Sequence, residues 1–196
     1  MIERLQNTIY TGQKIDDFQC FHKLPDYLKN FYTNQNGCIV LNGGFHIRGC
    51  VLNPQWHSLG NVWFGSLKLS DLFDSLSPND IPIAQDCFGD QYLIREDKVI
   101  KLSAESGDIE FFEKDLFDFL ELVKADPIEI LNFENIDQFD LKPGQLLSVF
   151  PPFCINSDSD ISIKPIDYLD RILFLSNLSQ QVKKFPDGTN LEIELS

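Results

Sequence analysis

An α+β domain with a mainly antiparallel sheet and helices packed around it is the fold class this sequence predicts, and three observations lead there. Short apolar segments at 81–84, 91–95 and 99–102 are separated by close turns, and strands joined that closely must pair antiparallel. Helical periodicity falls outside this run, at 24–32, 113–124 and 165–184, so helices and strands are segregated rather than alternating. The 196 residues are 43% hydrophobic and include 17 Phe, enough for a real core in a single domain spanning 1–196. One sheet covered on one side is the expected arrangement.

Taken in order, the first twenty residues carry little pattern beyond a short helix and an irregular entry. Leu24, Leu28, Phe31 and Tyr32 fall at helical spacing, with Pro25 suited to the first turn and Asn36-Gly37 to the end. Cys38 to Leu41 is an apolar strand, and Asn42-Gly43-Gly44 turns the chain into a second at Phe45 to Val51. Trp56 to Ser66, aromatic and punctuated by glycine, reads as loop and strand. Ser70 can cap a short helix through Leu76. Ile81 to Ala84, Gln91 to Arg95 and Val99 to Leu102 are strands, with turns at Asp86–Asp90, Glu96-Asp97 and Ser106–Asp108.

Glu113 to Lys124 is an amphipathic helix with Leu116, Phe117, Leu120 and Val123 inward and Asp115, Asp118 and Glu121 as an acidic stripe. Pro127 opens another through about Asn135. A turn at Pro143-Gly144 leads to a strand ending at Phe150, before Pro151-Pro152, and Ser157 to Asp160 is a polar loop. Pro165 to Lys184 has the strongest helical pattern, with Leu169, Ile172, Leu173 and Leu178 inward and Lys183 and Lys184 at its C-terminal end. Asp187-Gly188 turns into a last strand at Leu191 to Leu195.

Charge is the outlier. Sixteen bases against thirty acids leave −14. Residues 1–69 carry +2 and residues 141–196 carry −2, so the 71 residues from Ser70 to Asp140, with nineteen acids and five bases, hold the whole excess. Nucleic-acid affinity rests on neutralising phosphates with cations, so a nucleic-acid partner is not expected; nor is an anionic membrane. The acidic segment reads in two ways: a solvated face that keeps the chain soluble, or a landing surface for a basic partner. Its exposed-looking acids are Asp86, Asp90, Glu96, Asp97, Asp108, Asp115, Asp118 and Glu121, and Trp56 and Trp63 are the candidate aromatic anchors, unless they belong to the core.

Motifs that carry chemistry are not found. The three histidines (22, 46, 57) have no metal-ligand spacing, and Cys20 with His22 lacks a second pair, so no metal is expected. His46 reads as a satisfied sheet residue and His57 as a surface residue. There is no phosphate loop, no nucleophile elbow and no pattern for another cofactor. Asp86 and Asp90 form the best carboxylate pair, yet they flank Gly89, and turn hydrogen bonds account for them without catalysis. The five scattered cysteines lack any CxxC and fit small buried thiols in a reducing cytoplasm, with no apolar stretch long enough to span a bilayer.

Two segments resemble the SUKH superfamily. Leu24-Pro25-Asp26-Tyr27 with Asn36-Gly37 is similar to its opening "LP-x-x-Y/L … NGG", although here the glycine pair, Gly43-Gly44, stands offset from Asn36-Gly37. Ile81-Pro82-Ile83-Ala84-Gln85-Asp86-Cys87-Phe88-Gly89-Asp90 is similar to its "I-x-I-A-x-D-x-x-G-D" strand and turn, and two short strands and a helix follow as in the family. The likeness covers Leu24 to Val123, a core of about 24–124 with residues 125–196 as an extension packed on it. The prolines and glycines of that tail (Pro143-Gly144, Pro151-Pro152, Pro186-Asp187-Gly188) are similar to those of a bacterial subset. The resemblance implies a non-enzymatic domain without catalytic residues. Many bacterial members are immunity proteins that bind and neutralise a cognate toxin, often a nuclease, and fungal relatives are scaffolds in cell-wall signalling. It therefore leads to the expectation of a basic toxin as partner, with an intracellular scaffold as the alternative.

Overall fold

The computed structural model describes residues 7–131, 138–155, 160–185 and 189. Seven antiparallel strands follow one another in sheet order: β1 (Tyr10–Thr11), β2 (Cys38–Val40), β3 (Phe45–Ile47), β4 (Ile81–Asp86), β5 (Gln91–Arg95), β6 (Lys98–Ser103) and β7 (Asp108–Phe111). A separate hairpin pairs β8 (Gln145–Phe150) with β9 (Ser162–Asp167). The helices are α1 (Phe18–Lys23), α2 (Asp26–Asn34), α3 (Leu59–Trp63), α4 (Leu69–Leu72), α5 (Leu116–Ala125), α6 (Pro127–Leu131) and α7 (Tyr168–Val182). The α+β class holds, and among the described residues no helix is long and apolar enough to cross a membrane.

Both faces of the sheet are covered, not one. Alternate residues of a strand point to opposite faces, and here both sets are apolar in the central strands. Tyr92, Ile94 and Val99 join a core with Leu28, Phe45, Phe119 and Val123, under α2 and α5. Leu93, Ile100 and Leu102 join a second with Val62, Leu69, Tyr168, Ile172 and Leu175, under α3, α4 and α7. The C-terminal part thus shares the second cover of the sheet with α3 and α4. It is locked on by Leu147 N–H donating to Cys87 O at 2.7 Å and Arg171 Nε donating to Phe88 O at 3.1 Å.

Several elements depart from their expected bounds, each for a local reason. Pro25 sits in extended backbone as the N-cap of α2, which starts one residue later than its first-turn placement requires. Ladder pairing of β3 stops at Ile47, because Gly49 turns away to bridge Ser58. Trp56–Ser66 holds no strand: a 3₁₀ turn (Gln55–His57) runs into α3, whose N-cap Ser58 accepts from Asn61 N–H at 3.1 Å. Ser70 lies inside α4, a single turn, instead of capping it.

The Ser106–Asp108 turn is followed by a seventh strand that alternation over four residues does not announce. Asp115 is the N-cap of α5, accepting from Phe117 and Asp118 N–H at 2.9 Å each. Pro165, read as helical, lies in β9, and α7 begins at Tyr168 behind the cap Asp167. Its buried face is Tyr168, Arg171, Ile172, Leu175, Leu178 and Ser179, so Leu169 and Leu173, expected inward, are 45% exposed. The expected strand at 191–195 with its turn, the end of the helix from Pro127, and most of the 157–160 loop lie outside the described residues.

Candidate functional site

The β4–β5 turn shows what happens to the central acids that the fold draws inward. Asp86 is buried, and its Oδ1 accepts from the N–H groups of Phe88, Gly89 and Asp90 at 3.0 Å each. The carboxylate organises the turn by filling three backbone donors at once. Gly89, at φ +102, leaves no room for a side chain, since a Cβ would stand 2.5 Å from Leu175 Cδ1 on α7. Asp90 pairs with Lys101 at 2.9 Å and accepts from Ala104 N–H at 2.8 Å.

Beside this turn lies a cleft of about 250 Å³ lined by Asp86, Asp90, Lys101, Glu105, Cys154 and Arg171 among others. Glu105 and Arg171 pair across it at 3.4 Å. Burial, and then the charge of Asp90, pushes the Asp86 carboxyl up to about 8, so it is largely protonated at neutral pH. Burial and Glu105 push the exposed Cys154 thiol up to about 11, which keeps it a poor nucleophile. These charges answer one another, and the cleft reads as the joint between α7 and the sheet. Asp86 and Asp90, taken as exposed partner-binding acids from the sequence, belong to this joint: three turn N–H groups hold Asp86 inside against the cost of burial, and Lys101 and Ala104 N–H hold Asp90.

A second polar group lies on the face of β3 to β5 beneath the C-terminal cover. Fully buried Arg48 has no carboxylate partner among the described residues; it donates to Pro82 O (2.9 Å), Ala84 O (3.2 Å), Gln85 Oε1 (2.6 Å) and Gln91 Oε1 (2.6 Å). His57 Nε2 lies 3.3 Å from Asn36 O, an acceptor only, so the proton is assigned to that nitrogen. His57 Nδ1 then accepts from His46 Nε2 at 2.8 Å, and His46 Nδ1 accepts from Gln85 Nε2 at 3.3 Å.

Burial holds His57 down at about 4 and His46 well below the usual histidine range, and the Arg48 charge adds to both effects. His46 is the satisfied sheet residue its position implied. His57, expected at the surface, is buried, because the 3₁₀ turn folds it under Tyr10. Cys20 is buried and His22 exposed, and no group of metal-ligating side chains forms among the described residues. Trp56 and Trp63 are both half-buried: Trp56 is packed edge-on to Tyr10 and against His46, and Trp63 against Phe64.

The remaining acids of the sequence-based set, Glu121 aside, gather at one end and edge of the large sheet, while Asp74, Asp126 and Glu129 are exposed outside this strip. Glu96 and Asp97 form the two-residue tip of the β5–β6 hairpin, closed by the Arg95–Lys98 pair. Phe112 N–H donates to Val99 O at 3.1 Å and Val99 N–H to Lys114 O at 2.8 Å, which lays Glu113 and Asp115 beside that tip. Tyr27 lies between the two segments, and burial followed by the charges of Asp97 and Asp115 pushes its phenol up to about 12. Asp108 and Glu110 continue along β7, the sheet's outer strand, and Asp118 sits one turn into α5.

All seven of these carboxylates (96, 97, 108, 110, 113, 115, 118) are exposed, and none is in an ion pair among the described residues. Lys98, Lys114 and Arg95, the last paired with Asp80 at 2.6 Å, are bases that share this end. Glu121, farther along α5, is paired with Lys124 at 2.7 Å. The sequence-based acids thus split into a pair drawn into the joint, a residue in a local ion pair and an exposed acidic strip, and the set omitted Glu110 and Glu113. Glu110 becomes visible only once β7 is recognised as a strand. Family models, curated proteins and solved structures give no match to this chain.

Proposed function

We propose that the protein is a binding module that neutralises a basic protein partner in the bacterial cytoplasm, in the manner of a SUKH immunity protein facing its toxin. The observation that carries this reading is the backbone beneath the acidic strip. Glu96 (φ 50), Asp97 (φ 63) and Glu113 (φ 55) all occupy the left-handed region, where an L-residue costs roughly 1–2 kcal/mol and where Gly, Asn or Asp is the usual choice. Two glutamates thus stand in strained positions, beside an aspartate in a tolerated one, on one unpaired strip. A requirement for negative charge at those points accounts for that choice, while folding stability alone argues against it.

The resemblance of 24–123 to the SUKH motifs supports the same reading, as does the contrast with Asp80, Asp86, Asp90, Glu105 and Glu121, which are drawn into the joint or a local pair. A basic partner, such as a nuclease with a phosphate-binding groove, is met by a polyanionic surface that blocks the groove and speeds encounter. The module needs no reacting group of its own.

The test is co-expression with the product of each gene adjacent to its own, scored for rescue of growth. Replacing Glu96, Asp97 and Asp115 together by Lys is expected to abolish rescue from a toxic neighbour. Association with that product should slow steeply as salt is raised. Rescue that survives the triple replacement, or the absence of any toxic neighbour, overturns the reading.

A further inference from the structure

The β7 edge offers more than charge. In its pairing with β6, Asp108 stands opposite Ser103, Ile109 opposite Leu102, Glu110 opposite Lys101 and Phe111 opposite Ile100. The bond from Phe112 N–H to Val99 O sets the parity of the ladder, so bonds to β6 fall on Glu110 and Asp108. The N–H and C=O groups of Ile109 and Phe111 therefore point away from the sheet, and they have no partner among the described residues. On one face of this edge stand the carboxylates of Asp108 and Glu110. On the other stand half-buried Ile109 and Phe111, which is 56% exposed.

We infer that β7 is the docking edge for an added strand from the partner, a segment of alternating basic and apolar residues that extends the seven-stranded sheet by one. This rests on the reading of a basic partner and names how that partner sits. Main-chain bonds to Ile109 and Phe111 supply the pairing, and alternate side chains supply the selection. Basic residues lie across from Asp108 and Glu110, and apolar ones beside Ile109 and Phe111. Charge complementarity selects this occupant over a second copy of the chain, because antiparallel pairing of two β7 strands would set acid beside acid. The other sheet edge, β1, is two residues long and half-covered, and offers no such ladder.

The experiment uses the intact chain and the peptide acetyl-Lys-Val-Lys-Val-Lys-Val-amide, followed by chemical-shift titration and amide exchange. Binding is expected to slow exchange of the Ile109 and Phe111 amides. Methylating alternate peptide nitrogens on the pairing edge should weaken binding about tenfold, since each lost main-chain bond is worth roughly 1 kcal/mol and the methyl groups block approach. Phe111→Pro removes an outward N–H without touching the β6 ladder and should do the same, whereas Phe111→Ala should keep most of the affinity.

Equal binding of methylated and plain peptides, or unprotected Ile109 and Phe111 amides in the bound state, overturns the inference; so does a stable dimer of the free chain that is lost in Phe111→Pro. The two readings fail separately: a basic toxin still neutralised by the Phe111→Pro chain would sink strand addition and leave the acidic docking surface standing.

Discussion

Replacing Glu96-Asp97 by Asn-Gly is expected to make the protein more stable and less able to bind. Both tip residues are in the left-handed region within a two-residue hairpin loop, the geometry in which Asn-Gly is preferred. Relieving roughly 1 kcal/mol at each position, discounted for the greater freedom of glycine in the unfolded chain, leaves a gain of about 1–2 kcal/mol. At 2–4 °C per kcal/mol for a chain of about this size, that is a rise in Tm of about 2–8 °C. Urea unfolding followed by circular dichroism reads the gain, and stopped-flow association at low salt reads the loss of steering. Glu96→Gln with Asp97→Asn separates the causes. It removes both charges, leaves glutamine in the left-handed region, and should slow association with a smaller change in stability. A tip that gains nothing from Asn-Gly, or a chain that associates as fast without these charges, refutes the argument that strain is tolerated there for charge.

The buried histidines make stability fall on the acid side. His57 is held at about 4 in the fold against 6.5 in the unfolded chain, so over that interval the unfolded state binds the extra proton. The contribution is fully present above pH 6.5 and lost as pH falls towards about 4, amounting to roughly 2–3 kcal/mol between pH 7.5 and 4.5. His57→Gln, which can keep the bonds to Asn36 and His46, should flatten that part of the profile in urea titrations; parallel profiles would refute the assignment. Asp86 acts in the opposite sense, since a carboxyl raised to about 8 costs stability progressively as pH rises from 3.8 towards 8. Asp86→Asn mimics the protonated form and should be at least as stable as the parent at about pH 9, measured the same way. Gly89→Ala forces a Cβ against Leu175 at a positive φ, and a loss of about 2–4 kcal/mol in urea unfolding is expected.

How much of this was legible depends on how local each cause is. The β4–β5–β6 meander was readable because Gly89 and the Glu96-Asp97 pair mark turns between apolar runs, and the α5 face was readable from Leu116, Leu120 and Val123. The strand β9 was not: Ser162–Asp167 carries Pro165 and few apolar residues, and only pairing with β8 makes it extended. Nor was the second sheet face. In Phe45-His46-Ile47-Arg48 the alternation does not name partners for the polar side chains of His46 and Arg48, and it is Gln85, Gln91 and His57, from 11 to 43 residues away in the chain, that satisfy them in the interior. The acidic segment was legible as composition but not as geometry, since burial and pairing decide which carboxylates stay outside.

That division has an electrostatic consequence. The fold takes Arg48 inside with neutral oxygens only, and it takes Lys101 and Arg171 inside with Asp90 and Glu105. Arg48 goes inside without a matching anion and Asp86 goes inside largely protonated, so the two offset one another and the surface keeps the acidic excess of the sequence. The seven unpaired carboxylates concentrate that excess where the outer strand of the sheet would otherwise invite any passing edge. Charged side chains on an outer strand ordinarily prevent association. Here the same charges bar a second copy of the chain and admit an oppositely charged strand, so that one arrangement serves both solubility and the choice of partner.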